Sequence, residues 1–461
     1  MAIGTGVDVS ERRFRLDPSY RRPRRGRSVI GGSPLRLFTL GAAGVRVMAA
    51  IESGDDLPAG HDRLTDRLID TGALHPVLGP PPLDAATSLT VVVPAHDALP
   101  LFRPVSCRTI VIDDASSRPL AAPTGTDVEV VRLPVNVGPG AARNAGLELV
   151  DTAFVAFVDT DVMIDERALL DLLGHFDDPR VALVAPRIRP LDGPGPLVEF
   201  ERWHSPLDRG AEPGRIAAAT RVSFVPAAVV VCRTAALRAI GGFDPALRVG
   251  EDVDLVWRLD ESGYRCRYEP TISAQHRVRP ALRSWLRQRV AYGSSSAPLA
   301  RRHPGALAPL RMSGWSAGVW AAVGAGFPVT GGAIGIGTAV ALARKLQAIP
   351  KSESFRLAVT GHAHAGRLVA STITRVWWPV AALLALVSRR ARRALVAALV
   401  VPATIDWLTQ RPALHPARYV ALRALDDMAY GVGVWSGAIR ERSAEVLLPS
   451  FESWPPRDAA T

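Results

Sequence analysis

Cysteine is scarce in this chain of 461 residues, and what there is follows no pattern. The three cysteines, Cys107, Cys232 and Cys266, lie far apart in the sequence. Such spacing indicates neither a disulfide framework nor a zinc site, and it favours a reducing, cytosolic compartment. The N-terminus has no apolar core before about Val29, so we expect no secretory signal peptide.

Acidic residues are outnumbered by basic ones, and aromatic residues are few. The balance of 55 Lys and Arg against 44 Asp and Glu gives a formal charge of +11, and nearly all of the positive charge is arginine. A positive balance suits nucleic acid, an anionic membrane or a phosphorylated substrate. Because only 6% of residues are aromatic and no nucleic-acid motif is present, we expect phosphate or membrane partners and no nucleic acid. The 48% hydrophobic content excludes a mainly disordered chain, and the length allows two or three domains.

The stretch from Phe154 to Val162, FVAFVDTDV, is an apolar run that ends in two aspartates. The run predicts a buried strand, which puts Asp159 and Asp161 at its carboxyl end, where an open α/β sheet binds ligands. Two neighbouring carboxylates repel each other unless a cation lies between them, and oxygen ligands suit Mg²⁺ or Mn²⁺. Taken alone, such a pair is more often two solvated aspartates in a turn.

Strands and helices alternate from Leu89 onward, which predicts an α/β protein with a mostly parallel, doubly wound sheet. We predict strands at residues 89–94, 108–113, 128–133, 154–158, 181–188 and 224–231. A glycine-rich turn, NVGPGAARNAG at 136–146, opens a helix between the third and fourth strands. Its backbone N–H groups and Arg143 suit a diphosphate, although the same pattern is typical of a helix that only packs.

Three acids, Glu251, Asp252 and Asp254, begin another predicted helix. The helix macrodipole stabilises acids in a first turn, and this accounts for them without any function. The functional alternative is that one carboxylate points into a cleft as the general base for an acceptor hydroxyl.

Six motifs in sequence order resemble the family-2 inverting glycosyltransferases of the GT-A fold: VVVPAHD, VIDDAS, NVGPGAARNAG, FVDTD, IGGFDP and GEDVDLVWRL. The resemblance covers about residues 88 to 300. Within the family, RFRLDPS at 13–19 and GGSPLRL at 31–37 are most similar to the mycofactocin system glycosyltransferases. The resemblance implies a nucleotide-diphospho-sugar transferase fold. It also implies transfer of glucose from UDP-glucose, with inversion, onto a small redox-cofactor precursor, building a β-linked oligosaccharide.

The resemblance implies a divalent metal, Mn²⁺ or Mg²⁺, and a role for each matching residue. Asp252 falls on the catalytic base, Asp161 on the direct metal ligand, and Asp159 on an acid near the ribose or the metal. His276 resembles a histidine that approaches the diphosphate and the metal. The nucleotide-binding residues implied in this way, besides Asp159, are Pro94, His96, Asp113, Asp114 and Arg143. On the acceptor side we name Trp203, Glu251, Trp285 and Arg289.

One feature departs from the family. Only about a dozen residues, Asp97 to Arg108, join the first two strands, where the family generally has a helix. Prolines in PLFRPVSC disfavour a helix, and a parallel crossover this short is irregular. The placement of His96 and Asp113 is therefore in question.

The composition predicts four parts: residues 1–86, 87–305, 306–448 and a disordered tail, 449–461. The first, a hairpin that turns at 31–34 and is followed by helices, resembles the small PqqD-like winged-helix modules that bind precursor peptides. A purely structural subdomain is the alternative. The second part is the transferase domain.

The part 306–448 is rich in apolar runs. Residues 314–343 are almost free of charge, and the shorter runs 376–387 and 394–405 flank the basic segment Arg389–Arg393. This pattern predicts a helical region in or on the cytoplasmic face of a membrane, with lipid as a partner. The alternative is a soluble helical domain. Two other functions stay open: a membrane synthase with a lipid or polysaccharide acceptor, and a peptide-binding scaffold without activity.

Overall fold

The computed structural model describes residues 13–102, 106–122 and 128–452. The chain forms two compact units. The first contains residues 1–189 and 206–277, and the second contains residues 190–205 and 278–461. The predicted boundaries at residues 86 and 305 fall inside these units and stay a prediction.

The strands are β1 (Phe14–Leu16), β2 (Ser28–Gly31), β3 (Arg36–Thr39), β4 (Leu74–Pro76), β5 (Leu89–Ala95), β6 (Arg108–Asp113), β7 (Val128–Arg132), β8 (Phe154–Val158), β9 (Val162–Met163), β10 (Val181–Pro190), β11 (Gly214–Arg215), β12 (Val229–Arg233), β13 (Arg265–His276), β14 (Arg311–Met312) and β15 (Ser450–Phe451). The α-helices are α1 (Ala42–Ser53), α2 (Asp62–Asp70), α3 (Pro139–Glu148), α4 (Glu166–Asp171), α5 (Pro196–His204), α6 (Thr234–Ala239), α7 (Glu251–Glu261), α8 (Leu282–Ser294), α9 (Ser296–Arg302), α10 (Gly314–Gly324), α11 (Pro328–Lys345), α12 (Lys351–Arg375), α13 (Trp378–Val387), α14 (Arg389–Gln410) and α15 (Pro416–Glu441).

A large sheet forms the core of the first unit, in the order β11-β13-β10-β12-β8-β5-β6-β7. The strands β8, β5, β6 and β7 are parallel, as predicted. Beyond β8 the pairs β8–β12, β12–β10 and β13–β11 are antiparallel. The chain runs from β5 through β6 to β7 and then returns with β8 on the other side of β5. The order therefore switches direction between β5 and β8, where open sheets bind their ligands.

The central strands are buried on both faces, which explains their unbroken apolar runs. Val91, Val92 and Val93 of β5 and Phe157 of β8 are fully buried. Each such side chain contributes about 1.5–3 kcal/mol of transfer free energy. This burial fixes the sheet edge at which the polar residues after each strand lie.

The short link between β5 and β6 leaves the two strands in parallel register. Thr90 lies opposite Arg108 and Ala95 lies opposite Asp113. The described residues of the link contain no helix, and Phe102 is buried there. The crossover is therefore short, and its described residues form no helix, as predicted. It does not displace the ends of the two strands.

The sixth predicted strand, 224–231, is wrong in its start. The structure begins β12 at Val229. Pro226 lies in the residues before it and has no N–H to donate to a neighbouring strand, so the pairing begins only after the turn at Ala227 and Ala228.

The segment before β5 folds as predicted for a hairpin with helices. β2 and β3 pair as an antiparallel hairpin, and β1 pairs with β4. A separate hydrophobic cluster that includes Val29, Met48 and Leu68 lies among these elements. Whether this segment binds a peptide stays a prediction.

The second unit is helical. Arg289 of α8 and Asp426 of α15 form a buried ion pair, and β14 pairs with β15 in parallel. β15 corrects part of the predicted disordered tail, and residues 453–461 of that tail lie outside the described residues. In the described part of the chain, no single helix has the length and apolarity to cross a membrane. One bent pair, Lys351–Arg375 with Trp378–Val387, meets both criteria together, with an angle of 85°.

Candidate active site

The Asp-Thr-Asp turn lies between β8 and β9 at the carboxyl end of the parallel strands. β9 pairs with β13 so that Val162 lies opposite His276. This register brings the Nε2 of His276 to 3.1 Å from the Oδ2 of Asp161. The Asp161 side chain is 43% exposed, so a ligand from solvent can reach it.

A divalent metal would find an oxygen and a nitrogen donor at this turn. Among the described residues, no group of three or more His, Cys, Asp and Glu side chains is arranged to hold a metal ion. Of the three predicted ligands, Asp161 and His276 lie together, whereas Asp159 bonds to Arg143. A carboxylate and an imidazole, completed by nucleotide phosphates, fit the donor chemistry of Mn²⁺ or Mg²⁺.

Arg143 joins the Asp159 side of the site to helix α7. Its guanidinium donates to Asp159 Oδ1 at 2.7 Å and to Glu251 Oε1 at 2.8 Å. The side chain is 3% exposed and stacks over the ring of Phe243 at 5.3 Å, and its buried Nε has no hydrogen-bond partner among the described residues. Burial opposes the charge, but Asp159 and Glu251 raise the pKa of Arg143 further above its usual value. Arg143 is therefore a fixed positive charge beside the predicted metal position.

Asp252 lies one residue after Glu251, in the first turn of α7. Its Oδ1 accepts from the N–H of Val253 at 2.8 Å, and its Oδ2 accepts from the N–H of Ala227 at 3.4 Å. The residue after Ala227, Ala228, accepts from the N–H of Asp159 at 2.9 Å. One backbone segment thus connects the predicted base to the Asp-Thr-Asp turn.

The environment of Asp252 makes its carboxyl group less acidic than that of an ordinary aspartate. Burial, and then the charge of Glu251, raises the pKa of Asp252 to about 7. A carboxylate with a pKa near the working pH is well suited to accept a proton and release it again.

Asp113, the last residue of β6, and Asp114 accept hydrogen bonds from backbone N–H groups of neighbouring loops. Burial would raise the pKa of Asp113, but hydrogen bonds from Ser116, Leu120 and Arg132 lower it to about 2. Asp114 accepts at 2.7 Å from the N–H of Val137 and at 2.9 Å from the N–H of Gly138. Both acids therefore fix the shape of the nucleotide-side loops. Contact of either one with a base stays a prediction.

The glycine-rich turn needs glycine at Gly138, which precedes α3 with a φ of +90°. Gly146, later in α3, lies so close to the sheet that an added Cβ would come within 2.3 Å of Val92 Cγ1. This close approach presses α3 against β5 and directs its N-terminus toward the carboxyl edge of the sheet. Its first-turn N–H groups and the buried Arg143 thus lie where an anion can bind.

Pro94, near the end of β5, and His96, directly after β5, lie at the same edge of the sheet. The Nδ1 of His96 lies 2.8 Å from the carbonyl oxygen of Asp114, and the side chain is 48% exposed. Pro94 lies opposite Ile112 in the parallel register. The structure brings His96, Asp114 and the glycine-rich turn together, and their contact with a nucleotide stays a prediction.

The comparisons with known proteins find glycosyltransferases. The sequence profile described as Glycosyl transferase family 2 matches residues 105–224. The Pre-mycofactocin glycosyltransferase of Mycobacterium tuberculosis (strain ATCC 25618 / H37Rv) is 39% identical over 452 residues, which cover 93% of this chain and 95% of that protein.

This chain belongs to the mycofactocin-system group of glycosyltransferase family 2. The resemblance inferred from the motifs is thereby confirmed. A more distant relative, the succinoglycan biosynthesis protein ExoO of Rhizobium meliloti, is 25% identical and covers 44% of this chain and 64% of its own length. Among solved structures, mannosyltransferase PcManGT from Pyrobaculum calidifontis, in complex with GDP-Man and Mn²⁺, is 15% identical. It covers 76% of this chain and 87% of its own, with a TM-score of 0.39.

The acceptor-side predictions for this glycosyltransferase divide between the two units. In the first unit, Glu251 bonds to Arg143. In the second, Trp285 is fully buried and donates to Glu201 at 2.6 Å, and Arg289 is buried between Glu201 and Asp426. Trp203 is 40% exposed, and its indole N–H donates to Glu199. Helix spacing at 284–292 does not tell a buried face from a binding face, and acceptor contact by these four residues stays a prediction.

Two residues of the glycosyltransferase site were missed from the sequence. Arg248 lies beside Gly138 and reaches the side-chain and main-chain oxygens of Asn136, both at 3.4 Å. Asn144 locks α3 to the turn before α7 by donating to the carbonyl of Phe243 and accepting from its N–H. Arg248 stands three residues before the Glu-Asp pair, and that position is the signal that could have identified it.

Proposed function

We propose that this enzyme transfers glucose from UDP-glucose, with inversion, onto the mycofactocin redox-cofactor precursor, in the presence of Mn²⁺ or Mg²⁺. One observation carries the proposal. Asp252, a carboxylate whose pKa is about 7, and the buried Arg143 both lie at the sheet edge that bears Asp159 and Asp161. Asp252 bonds to the backbone of Ala227, and Arg143 bonds to Glu251 and Asp159. Identity of 39% along nearly the whole Pre-mycofactocin glycosyltransferase supports the acceptor.

The acceptor hydroxyl is proposed to lose its proton to Asp252. As the hydroxyl oxygen forms a bond to the anomeric carbon, the proton moves to Asp252 Oδ2. Among the described residues, this oxygen accepts one hydrogen bond, a long one of 3.4 Å from the N–H of Ala227. The bond from the anomeric carbon to the phosphate oxygen breaks on the opposite face, and UDP leaves with the electron pair. A single displacement of this kind turns an α-linked donor into a β-glycoside.

The charge that develops on the leaving diphosphate is proposed to be stabilised from the α3 side. Arg143 supplies a positive charge that burial and two carboxylates keep in place, so it needs no reorganisation during the reaction. Arg248 lies beside the first turn of α3 and adds a second cation. Asp161 and His276 would hold the divalent cation, which supplies Lewis-acid stabilisation of the same charge when bound.

The test is an assay of the purified enzyme with a panel of UDP- and GDP-sugars, with Mn²⁺ or with EDTA, and with the redox-cofactor precursor as acceptor. Mass spectrometry should show additions of one hexose each with UDP-glucose, lost in EDTA. Transfer from a GDP-sugar alone, or undiminished transfer in EDTA, would reject the donor or the metal.

A lipid or polysaccharide acceptor is the second candidate. Helix α13 in the second unit carries exposed Leu383, Leu386 and Val387, which would suit an apolar acceptor. Metal-dependent hydrolysis of UDP-glucose without transfer to the precursor would favour this candidate. The same hydrolysis would reject a scaffold without activity. Binding of a precursor peptide by residues 13–76 is a separate proposal, which a pull-down with that peptide tests.

A further inference from the structure

The second unit exposes apolar side chains at two helix turns that are far apart in the sequence. At the turn between α10 and α11, Phe327 is 58% exposed and Val329 is 85% exposed. At the turn between α13 and α14, Leu386 is 76% exposed and Val387 is 85% exposed. Exposed apolar clusters of this kind mark an interaction surface in a folded protein.

One hydrogen bond brings the two turns together. The Nη1 of Arg390, at the start of α14, donates to the carbonyl oxygen of Ala325 at 3.2 Å. The same guanidinium lies 3.9 Å from the position that a Cβ of Gly326 would occupy. The two turns, residues 325–329 and 386–393, therefore form one surface, which we call the apolar tip.

Arginines surround the apolar tip. Arg389, Arg390, Arg392 and Arg393 are all exposed, and among the described residues none of the four has a carboxylate within ion-pair distance. The sequence between Ser313 and Ile405 contains ten Lys or Arg residues and one acid, Glu353. A partner of this surface must therefore be apolar in part and negatively charged in part.

Helix α13 has the composition of a segment that contacts lipid. It reads WPVAALLALV, contains no charged residue, and buries none of its residues. At a rise of 1.5 Å per residue its ten residues span about 15 Å, roughly half the hydrocarbon thickness of a bilayer. Trp378 is its first residue and Trp377 directly precedes it, and tryptophan is enriched where protein meets the headgroups.

We propose that the apolar tip docks on an anionic lipid bilayer. Phe327, Val329, Leu386 and Val387 enter the headgroup and upper acyl region, and the four arginines contact lipid phosphates. The negative surface of the cytoplasmic leaflet complements this charge, and the two contributions act together because neither apolar contact nor basic charge alone anchors a protein stably. The enzyme then works at the cytoplasmic face of the membrane.

The test is flotation of the purified full chain with vesicles of phosphatidylcholine alone or mixed equally with phosphatidylglycerol. The wild type should float with the anionic vesicles, and raising the salt concentration should weaken this binding because salt screens the arginines. The variant R389Q/R390Q/R392Q/R393Q should lose at least about tenfold in the partition coefficient. The variant V329E/L386E/V387E should lose at least as much.

Matched controls separate the apolar tip from general charge and folding. The variant L83E/R24Q/R25Q makes similar changes at exposed positions of the first unit and should float like the wild type. Hydrolysis of UDP-sugar should stay unchanged in both apolar-tip variants, because none of the altered side chains belongs to the candidate active site. The thermal midpoint of V329E/L386E/V387E should also stay unchanged, because its altered side chains are exposed. Wild-type flotation of both apolar-tip variants, or equal loss in the control, would overturn the proposal. If the wild type binds no vesicles, the proposal is wrong, and a protein partner would then be the expected occupant of the apolar tip.

Discussion

The carboxylate of Asp252 is the group on which the proposed chemistry depends most. We expect Asp252→Asn to lower the transfer rate by about 10²–10⁴-fold, because an amide cannot accept the acceptor proton. Donor affinity should change little, since in the described part of the chain the Asp252 side chain accepts hydrogen bonds from the backbone of Val253 and Ala227 alone. Transfer rates and UDP-glucose binding by calorimetry measure the two effects.

Asp260→Asn is the matched control for this prediction. Asp260 lies on the same helix and pairs with Arg215, away from the turn that bears Asp159. Its variant should transfer at close to the wild-type rate. Near-wild-type transfer by Asp252→Asn would remove the base from the proposed mechanism.

The raised pKa of Asp252 predicts the pH profile. Only the deprotonated carboxylate acts as the base, so kcat/KM should fall about tenfold per pH unit below a midpoint near 7. Glu251→Gln removes the neighbouring negative charge and should move this midpoint to lower pH. A pH series on both proteins tests the shift, and a midpoint that stays in place would show that Glu251 does not act on Asp252.

At the scale of elements, the approach of α3 to the sheet determines where the anion site lies. A Cβ at Gly146 would come within 2.3 Å of Val92 Cγ1, so Gly146→Ala should cost about 1–3 kcal/mol of unfolding free energy. Gly79→Ala is the control, since its Cβ would meet only ordinary contacts at 3.6 Å and beyond. Urea unfolding measures both, and equal stability of the two variants would contradict this close packing.

The N-terminal segment is fixed to the sheet unit by a buried carboxylate. Asp17 is fully buried and accepts from Arg221 at 2.8 Å and from His75 at 2.9 Å. Burial would raise the pKa of Asp17, but bonds from His75, Arg221 and Ser19 lower it well below its usual range. Because the folded pKa is lower than the unfolded one, the stabilisation is present above about pH 4 and is lost as the pH falls.

Asp17→Asn should therefore cost roughly 3 kcal/mol at neutral pH and much less near pH 2. The exposed pair Arg15–Glu212 connects the same parts of the chain, and Glu212→Gln should cost under about 1 kcal/mol. Denaturant titrations at several pH values measure both. A cost for Asp17→Asn that is independent of pH would contradict the assigned ionisation.

The sequence was sufficient to predict β5, β6 and β8, because strands buried on both faces are largely apolar runs. The edge strand β7, which contains the exposed Glu129, was predicted from its valines. Sequence periodicity missed the start of β12, where Pro226 precedes the strand and interrupts pairing. It also could not give the partners of Asp113 and Asp114. Asp113 is held by Arg132 only because β6 and β7 pair in that register, and a register is a property of two strands together.

In the molecule as a whole, the evidence for the family covers nearly the entire chain, whereas the recognisable site residues lie in one unit. The identity with the Pre-mycofactocin glycosyltransferase covers 93% of the chain and therefore both units. The site residues that could be recognised from motifs, from His96 to His276, belong to the first unit. The helical unit has no comparable motif. Its ion pair Arg289–Asp426 and the bond Arg390–Ala325 join residues that are far apart in the sequence, so sequence patterns could not predict them.

The proposed mechanism is a single displacement at the anomeric carbon, with Asp252 as the base. Proton NMR of the product formed from UDP-glucose and the redox-cofactor precursor is the decisive measurement for the displacement, because the anomeric signal reports the configuration of the new bond. A β-linked glucose from the α-linked donor is the result that a single displacement predicts. An α-linked glucose would contradict it and would require either a second displacement or a different reacting geometry.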